Sequence, residues 1–298
     1  MEQYFSGRTR APIEETIEQQ EKVEDKIFSN ERVDDRWNKS HLRIFNSTFA
    51  KMGFRSSQFK QCDLSFCVFI DCYFKKTFFD QVKFISCIFI NCNFDMATFL
   101  NCDFKYATFE NCFIPYVQMK NNLPHKEENL CSDLCRNLSL QCLKLGEVTD
   151  YKLYLFEERA AGETHSIRKL FHESGSYYSK YSLFEGIGGL FDFLRSKISK
   201  FMWGYGERMT SLLRCMVIVI LAYSYIFYSN ATHIVFQGSI SNTIIAAIYL
   251  SACNFFSFAD SEIFETQTLQ FIGLSEYILG VTLMGFFVAA LFRQINRR

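Results

Sequence analysis

The chain carries no net charge, because 32 Lys and Arg balance 32 Asp and Glu. Without a basic excess there is no bulk attraction to phosphate, so no nucleic-acid partner is expected. The chain also lacks the usual marks of an enzyme. It has no nucleophile–His–acid set and no phosphate-binding glycine loop. Its five His are scattered, and only His165 and His172 are close, seven apart on a predicted helix. The twelve Cys include no C-x-x-C pair, so no zinc knuckle, and no metal or cofactor, is expected. The N-terminus is polar and lacks the charged-then-apolar pattern of a signal peptide, so secretion is not expected. No Lys or Arg occurs between Arg214 and Arg293.

What is abundant is Phe, with 34 residues. The excess has a period. A large apolar residue recurs at Ile44, Phe49, Phe54, Phe59 and Leu64, then at every fifth position through Phe109, Ile114 and Met119. Two residues before each sits a smaller one, and Cys62, Cys67, Cys72, Cys87, Cys92, Cys102 and Cys112 are of this set. The cysteine spacing is therefore set by a repeat, and the thiols read as small buried groups in a reducing compartment. A period of five fits neither a 3.6-residue helix nor a plain strand. It fits a chain that turns a corner every five residues, with four faces per coil and the large residue filling the axis.

These residues resemble the pentapeptide-repeat family. The resemblance implies a right-handed quadrilateral β-helix over residues 41–121, about four coils long and roughly 20 Å at one strand spacing per coil. One use of that fold is mimicry of duplex DNA by an acidic surface. From Leu42 to Met119, eight basic residues face six acidic ones, which disfavours it. The expected role is an assembly or docking scaffold, pairing through open ends. Residues 1–40 form an acidic N-terminal arm, in which 14–36 read as a solvated helix or disordered. Residues 122–180 read as a helical linker after Pro124, with Leu134, Leu138, Cys142 and Leu145 on one face. Cys131, Cys135 and Cys142 lack a fourth ligand and read as core.

Residues 181–203 form an amphipathic helix. Phe184, Ile187, Leu190, Phe191, Leu194, Ile198 and Phe201 line one face, and Arg195, Lys197 and Lys200 lie mostly off it. It reads as an interfacial helix on the cytoplasmic leaflet, or alternatively as a helix buried in protein. Residues 204–298 read as a membrane unit. One span covers about 211–230 and a second about 271–293. Arg208 and Arg214 before the pair, and Arg293, Arg297 and Arg298 after it, place both termini in the cytoplasm by the positive-inside rule. The apolar piece between them, about 242–262, is short for a span and reads as a re-entrant pore helix and filter.

Span, re-entrant helix, acidic loop and span is the plan of a two-helix pore. "AIYLS" at Ala247–Ser251 resembles the pore-helix entry of the potassium-channel superfamily. "WGYGERMTSLLR" at Trp203–Arg214, and "SEYILGVTLMGFFVAALFRQ" at Ser275–Gln294 with Glu276 and Gly280, resemble bacterial proteins that fuse pentapeptide repeats to such a pore. The resemblance implies a homotetrameric channel in the plasma (inner) membrane. A potassium filter needs glycines for its inward carbonyls. Here the matching run is Ser257, Phe258, Ala259 and Asp260 after Phe256, without glycine and two residues shorter. Potassium selectivity is therefore not expected. A side-chain filter is expected instead: Asp260 forms a carboxylate ring, Ser257 adds a hydroxyl ring, and Glu262 and Glu265 make an outer vestibule. Alternatively, Asp260 ties the filter loop to the pore helix. Phe255, Phe256 and Phe258 are expected to pack behind the filter. Gly280 and Gly285 are candidate inner-helix pivots or close-packing points, and Val281, Met284 and Val288 are candidates for an apolar gate. The expected function is a pore passing monovalent cations, regulated by a cytosolic protein or ligand acting on the repeats. The alternatives are a non-conducting membrane-anchored scaffold or sensor, and an effector that depolarises its host.

Overall fold

The computed structural model describes residues 2–19, 22–34, 37–171, 177–206, 208–235, 243–258 and 263–296. The chain divides into two units, Met1–Leu190 and Phe191–Arg298.

The first unit is a β-solenoid. Strands Lys26–Ser29, Thr48–Ala50, Val68–Ile70, Ile88–Ile90 and Thr108–Glu110 stack in parallel on one face. A second face stacks Asn38–Ser40, Gln58–Lys60, Phe78–Asp80 and Thr98–Leu100. Single parallel bridges, Arg43 to Asp63 to Lys83 to Asp103 and Arg32 to Gly53 to Tyr73 to Asn93 to Phe113, mark the other two faces. Phe69 therefore lies over Phe49 and under Phe89, and the axial rings form columns. Phe49, Phe69, Phe89 and Phe109 stack at 4.7, 4.9 and 4.9 Å. Phe54, Phe74 and Phe94 stack at 5.3 and 5.2 Å. Rings on adjacent faces meet edge to face, as Phe74 does Phe79 at 5.6 Å. Both geometries suit the aromatic quadrupole.

Each corner is made by one left-handed residue two positions after the axial one, at every fifth position from His41 to Asn111, with φ between 45° and 63°. A left-handed residue other than glycine costs about 1–2 kcal/mol, least for Asn and Asp. The corners recover part of this through side-chain ladders: Asn111 donates to Asn91 at 2.8 Å, and Asn91 to Asp71 at 3.0 Å.

The Cys and Thr among the small residues two positions before each ring have a polar task. Cys67 Sγ donates to the Ile44 carbonyl at 3.3 Å, Cys87 to Leu64 at 2.9 Å, and Thr77 Oγ1 to Phe54 at 2.6 Å. Each satisfies a buried carbonyl of the preceding coil. Burial pushes the Cys67 thiol up to about 12 and the Cys102 thiol up to about 11. Cysteine fits because it is small, apolar and a weak donor.

The solenoid begins earlier than the sequence repeat. The segment expected as a solvated acidic arm forms a coil of its own: Lys22–Glu24 pairs with Arg43–Phe45, and Val23, Phe28, Val33 and Trp37 are buried. The repeat is out of phase there. Phe28 pairs with Phe49 at a separation of 21, whereas Lys39 pairs with Phe59 at 20. One extra residue thus lies between Val33 and Lys39. Trp37 fills the axis that Lys39 leaves, 5.9 Å from Phe59.

Further elements follow the repeats at both ends. At the start, strand Thr9–Arg10 adds to Lys26–Ser29 and leads into helix α1 (Ile13–Gln19), whose Ile13 is fully buried in the core. At the other end the last repeat turns helical as α2 (Tyr116–Met119): Met119 still plugs the axis, but Val117 is exposed. Helices α3 (Glu128–Lys144) and α4 (Val148–Phe171) follow, and Cys131, Leu134, Cys135, Leu138 and Cys142 join the core. Leu145 lies past the end of α3 and is exposed. Side-chain amides finish the edge strand. Asn137 accepts from Phe109 N–H at 2.8 Å and donates to Phe109 O at 3.1 Å, and Gln141 accepts from Asn111 N–H. An edge closed in this way cannot template another strand.

Helix α5 (Leu183–Trp203) contains the boundary between the units. In the second unit, α6 (Met209–Ser229) and α8 (Gln267–Asn296) are the two helices long and apolar enough to cross a membrane, and α7 (Thr243–Phe256) is a shorter apolar helix between them in sequence.

Candidate functional site in the helical unit

Helix α7 has 14 residues, about 21 Å at 1.5 Å each, too short for a hydrocarbon core of about 30 Å. One face is buried, through Ala246, Ala247, Leu250, Ser251, Cys253 and Phe255, while Ile244, Ile245, Ile248 and Tyr249 are exposed. Its first half packs with Phe227 of α6 and Leu269 of α8, and its end with Leu212, Met216 and Leu283. The small residues Ala246 and Ala247 allow this close approach.

Two contacts fix the end of α7 against α8. The Glu276 side chain is fully buried and accepts a hydrogen bond from the Ser251 hydroxyl. Ser251 Oγ also lies 2.9 Å from the Ile220 carbonyl of α6, so one proton serves two acceptors in turn. The other carboxylate oxygen, Oε2, and the buried Asn254 Nδ2 have no hydrogen-bond partner among the described residues. Four residues beyond Glu276, Gly280 meets the backbone of α7: a Cβ there would lie 2.1 Å from the Phe255 carbonyl oxygen. Glycine is required at this position by contact. Gly285 has nothing within 4 Å of such a Cβ. Helix α8 runs as one helix through both glycines.

Helix α7 stops in a left-handed cap. Ser257 has φ 62°, its N–H donates to the Asn254 carbonyl at 3.3 Å, and Phe258 N–H donates to the Cys253 carbonyl at 2.9 Å. This is the paired-bond termination of a helix with serine in the place usual for glycine. It turns the chain away from the α7 axis where the filter was expected. Of that filter, Ser257 and Phe258 are exposed, whereas Ala259, Asp260 and Glu262 lie outside the described residues. Phe255 is buried, and Phe256 and Phe258 are exposed in the single chain.

Glu265 stands on a feature the sequence reading missed. Ile234–Val235 and Ile263–Phe264 form a short antiparallel pair, Glu265 N–H donates to the His233 carbonyl, and the Glu265 carboxylate lies 3.9 Å from His233 Nδ1. The candidate vestibule carboxylate is thus held beside an imidazole. Val281 and Val288 are exposed on α8, with Met284 half-buried between them. Ser251 and Asn254 were not singled out as site residues. Their signal was a serine and an asparagine three apart in the second half of an otherwise largely apolar helix. Among the described residues, no group of three or more His, Cys, Asp or Glu is placed to hold a metal ion.

Comparison with known proteins bears on the solenoid. Residues 62–99 match the family model for pentapeptide repeats, in eight copies. No curated protein matches the chain. Among solved structures, it is similar to two trypsin-treated forms of QnrB1, described as a plasmid-mediated fluoroquinolone resistance protein. One is 17% identical over 29% of this chain, with a TM-score of 0.17, and the other 16% identical over 37%, with a TM-score of 0.19. The matches span 61% and 57% of those structures, less than two thirds of their length. The chain thus joins a pentapeptide-repeat β-solenoid to a helical region with two helices suited to crossing a membrane.

Proposed function

We propose that the chain is the pore-forming subunit of a homotetrameric cation channel, with the solenoid as its regulatory or assembly domain. The observation that carries this reading is helix α7. It is too short to span, is held by Glu276 and Gly280 of α8, and ends in a left-handed turn. A short helix fixed between two longer apolar ones is the arrangement a re-entrant pore helix requires. In the tetramer, Asp260 forms the cation-attracting ring and Ser257 a hydroxyl ring, while Glu262 and Glu265 draw cations to the mouth. The missing glycines leave no row of dehydrating carbonyls, so the filter passes monovalent cations with little preference between potassium and sodium. The chain sits in the plasma membrane with both termini in the cytoplasm, where a protein or ligand acts on the solenoid. No catalytic role is assigned.

The second reading is a membrane-anchored scaffold that does not conduct. The solenoid itself favours it, since the repeats are the part with a matched family and both ends are finished as in a self-contained domain. Reversal potentials in planar bilayers separate the two, first under asymmetric KCl and then under potassium–sodium bi-ionic conditions. A reversal near the cation potential with weak potassium–sodium discrimination supports the channel. Strong potassium preference overturns the filter assignment. No current from folded tetramer favours the scaffold.

A further inference from the structure

We propose that α5 lies along the membrane surface with its apolar face in contact with anionic phospholipid. The proposal rests on α6 and α8 crossing the bilayer, but not on conduction.

The face is large and uncovered. Phe184 is 87% exposed, Phe191 69%, Ile198 58% and Phe201 52%, with Ile187 and Leu194 also exposed. At 3.6 residues per turn, these six lie within an arc of about 100°. Arg195 sits just outside one edge of that arc, where a long side chain reaches headgroups while its stem covers apolar surface, and Lys197 lies beyond the other edge with its ammonium 5.2 Å over the Phe193 ring. The opposite side of the helix is occupied: Gly186 and Gly189 are buried, and a Cβ on Gly189 would lie 2.5 Å from the Ser166 carbonyl oxygen of α4. The apolar arc therefore points away from that contact.

The end of α5 is held beside the candidate spans. Trp203 packs edge-on against Phe286 of α8 at 4.4 Å, and the Arg214 guanidinium of α6 lies 5.5 Å over the Phe201 ring. The link from Trp203 to Met209 reaches about 20 Å at most. A helix so placed has the bilayer surface within reach. Its flanking charges select lipid of opposite sign, at about fivefold per Lys or Arg.

Nitroxide labels on the full-length protein in phosphatidylcholine–phosphatidylglycerol vesicles test this. Labels are placed by Phe191→Cys and Ile198→Cys on the arc and by Asp192→Cys off it. All twelve native Cys are buried, and the parent protein sets the background. Expected are high oxygen and low nickel-chelate accessibility at 191 and 198, and the reverse at 192. Nickel access at all three sites, or low access to both reagents at 191 and 198, overturns the proposal, the latter meaning that protein covers the face. Arg195→Gln with Lys197→Gln is expected to shift both arc labels toward nickel access. Unchanged lipid contact in that double variant overturns the role of anionic lipid. Failure of the protein to float with vesicles overturns the membrane reading itself. Flotation with a water-exposed arc overturns only the placement of α5.

Discussion

Gly280 and Gly285 are equivalent by sequence, yet the structure makes opposite predictions for them. A methyl group at position 280 would lie 2.1 Å from the Phe255 carbonyl oxygen, where ordinary contact starts at 3.4 Å, so the end of α7 must retreat by about 1.3 Å. Overpacking of this kind costs about 1–3 kcal/mol. For a unit of roughly 100 residues, each kcal/mol shifts the midpoint by about 4–8 °C; with the helix-propensity gain of up to about 1 kcal/mol set against the overpacking, Gly280→Ala is expected to melt below the parent and below Gly285→Ala. Gly285→Ala meets no atom within 4 Å and gains helix propensity of up to about 1 kcal/mol, so it is expected to melt at or above the parent. The assay is thermal unfolding of the purified protein in detergent, followed by Trp fluorescence, since Trp203 packs in the same cluster as Phe255. Equal melting of the two variants would refute the close packing of α8 on α7. A change in gating by Gly285→Ala without a change in melting would mark that position as the pivot.

The other predictions concern the rod and the pore. Thr77→Val removes the 2.6 Å bond to the Phe54 carbonyl, which keeps the Ser57 N–H at 3.2 Å, and is expected to cost about 0.5–1.5 kcal/mol in denaturant unfolding, whereas Thr77→Cys restores a weak donor and costs less. The solenoid thiols are expected to resist maleimide at pH 8 until the protein unfolds, because burial holds the Cys67 thiol at about 12. As that folded value lies above the unfolded one near 9, the thiol's contribution to stability is complete below pH 9 and lost as pH rises toward 12; a melting temperature flat across that range contradicts this. Ser251→Ala removes the hydroxyl donor to buried Glu276 and is expected to lower thermal stability by about 1–3 kcal/mol, checked by the same melting assay. Asp260→Asn is expected to reduce cation-over-anion permeability while Asp80→Asn on the rod leaves it unchanged, and equal ratios in parent and Asp260→Asn remove the carboxylate ring.

The period of five made the rod legible because one residue type, Phe, repeats wherever the axis must be filled. Reading failed where that code is interrupted. Near Val33 a single added residue puts Lys39 in the register of Phe59, and the axis is filled by Trp37 from a neighbouring position, so no window of five betrays the coil. The end of the rod was obscured for a different reason: Met119 keeps the phase although the backbone has become helical, because plugging the axis needs only bulk. In the helical unit, the lengths of α6 and α8 followed from apolar runs. The bond from Ser251 to Glu276 joins residues 25 apart with no pattern to announce it. The separate fates of Gly280 and Gly285 depend on which side of α8 faces α7, which periodicity alone does not give.

The caps at the two ends of the solenoid leave its length free to change. Because the N-terminal segment reaches only as far as Ile90, where Tyr4 and Phe5 pack on Val68, Ile70 and Ile88, and the Asn137 closure touches only the last strand, an insertion of four repeats beyond Ile90 would leave the contacts at both ends unchanged. It would lengthen the rod by about 4.8 Å. A duplication of one or two repeats would instead rotate the C-terminal helices by a quarter or half turn about the axis. Copying errors in this stretch of gene would therefore change reach in steps of twenty residues and orientation in steps of five.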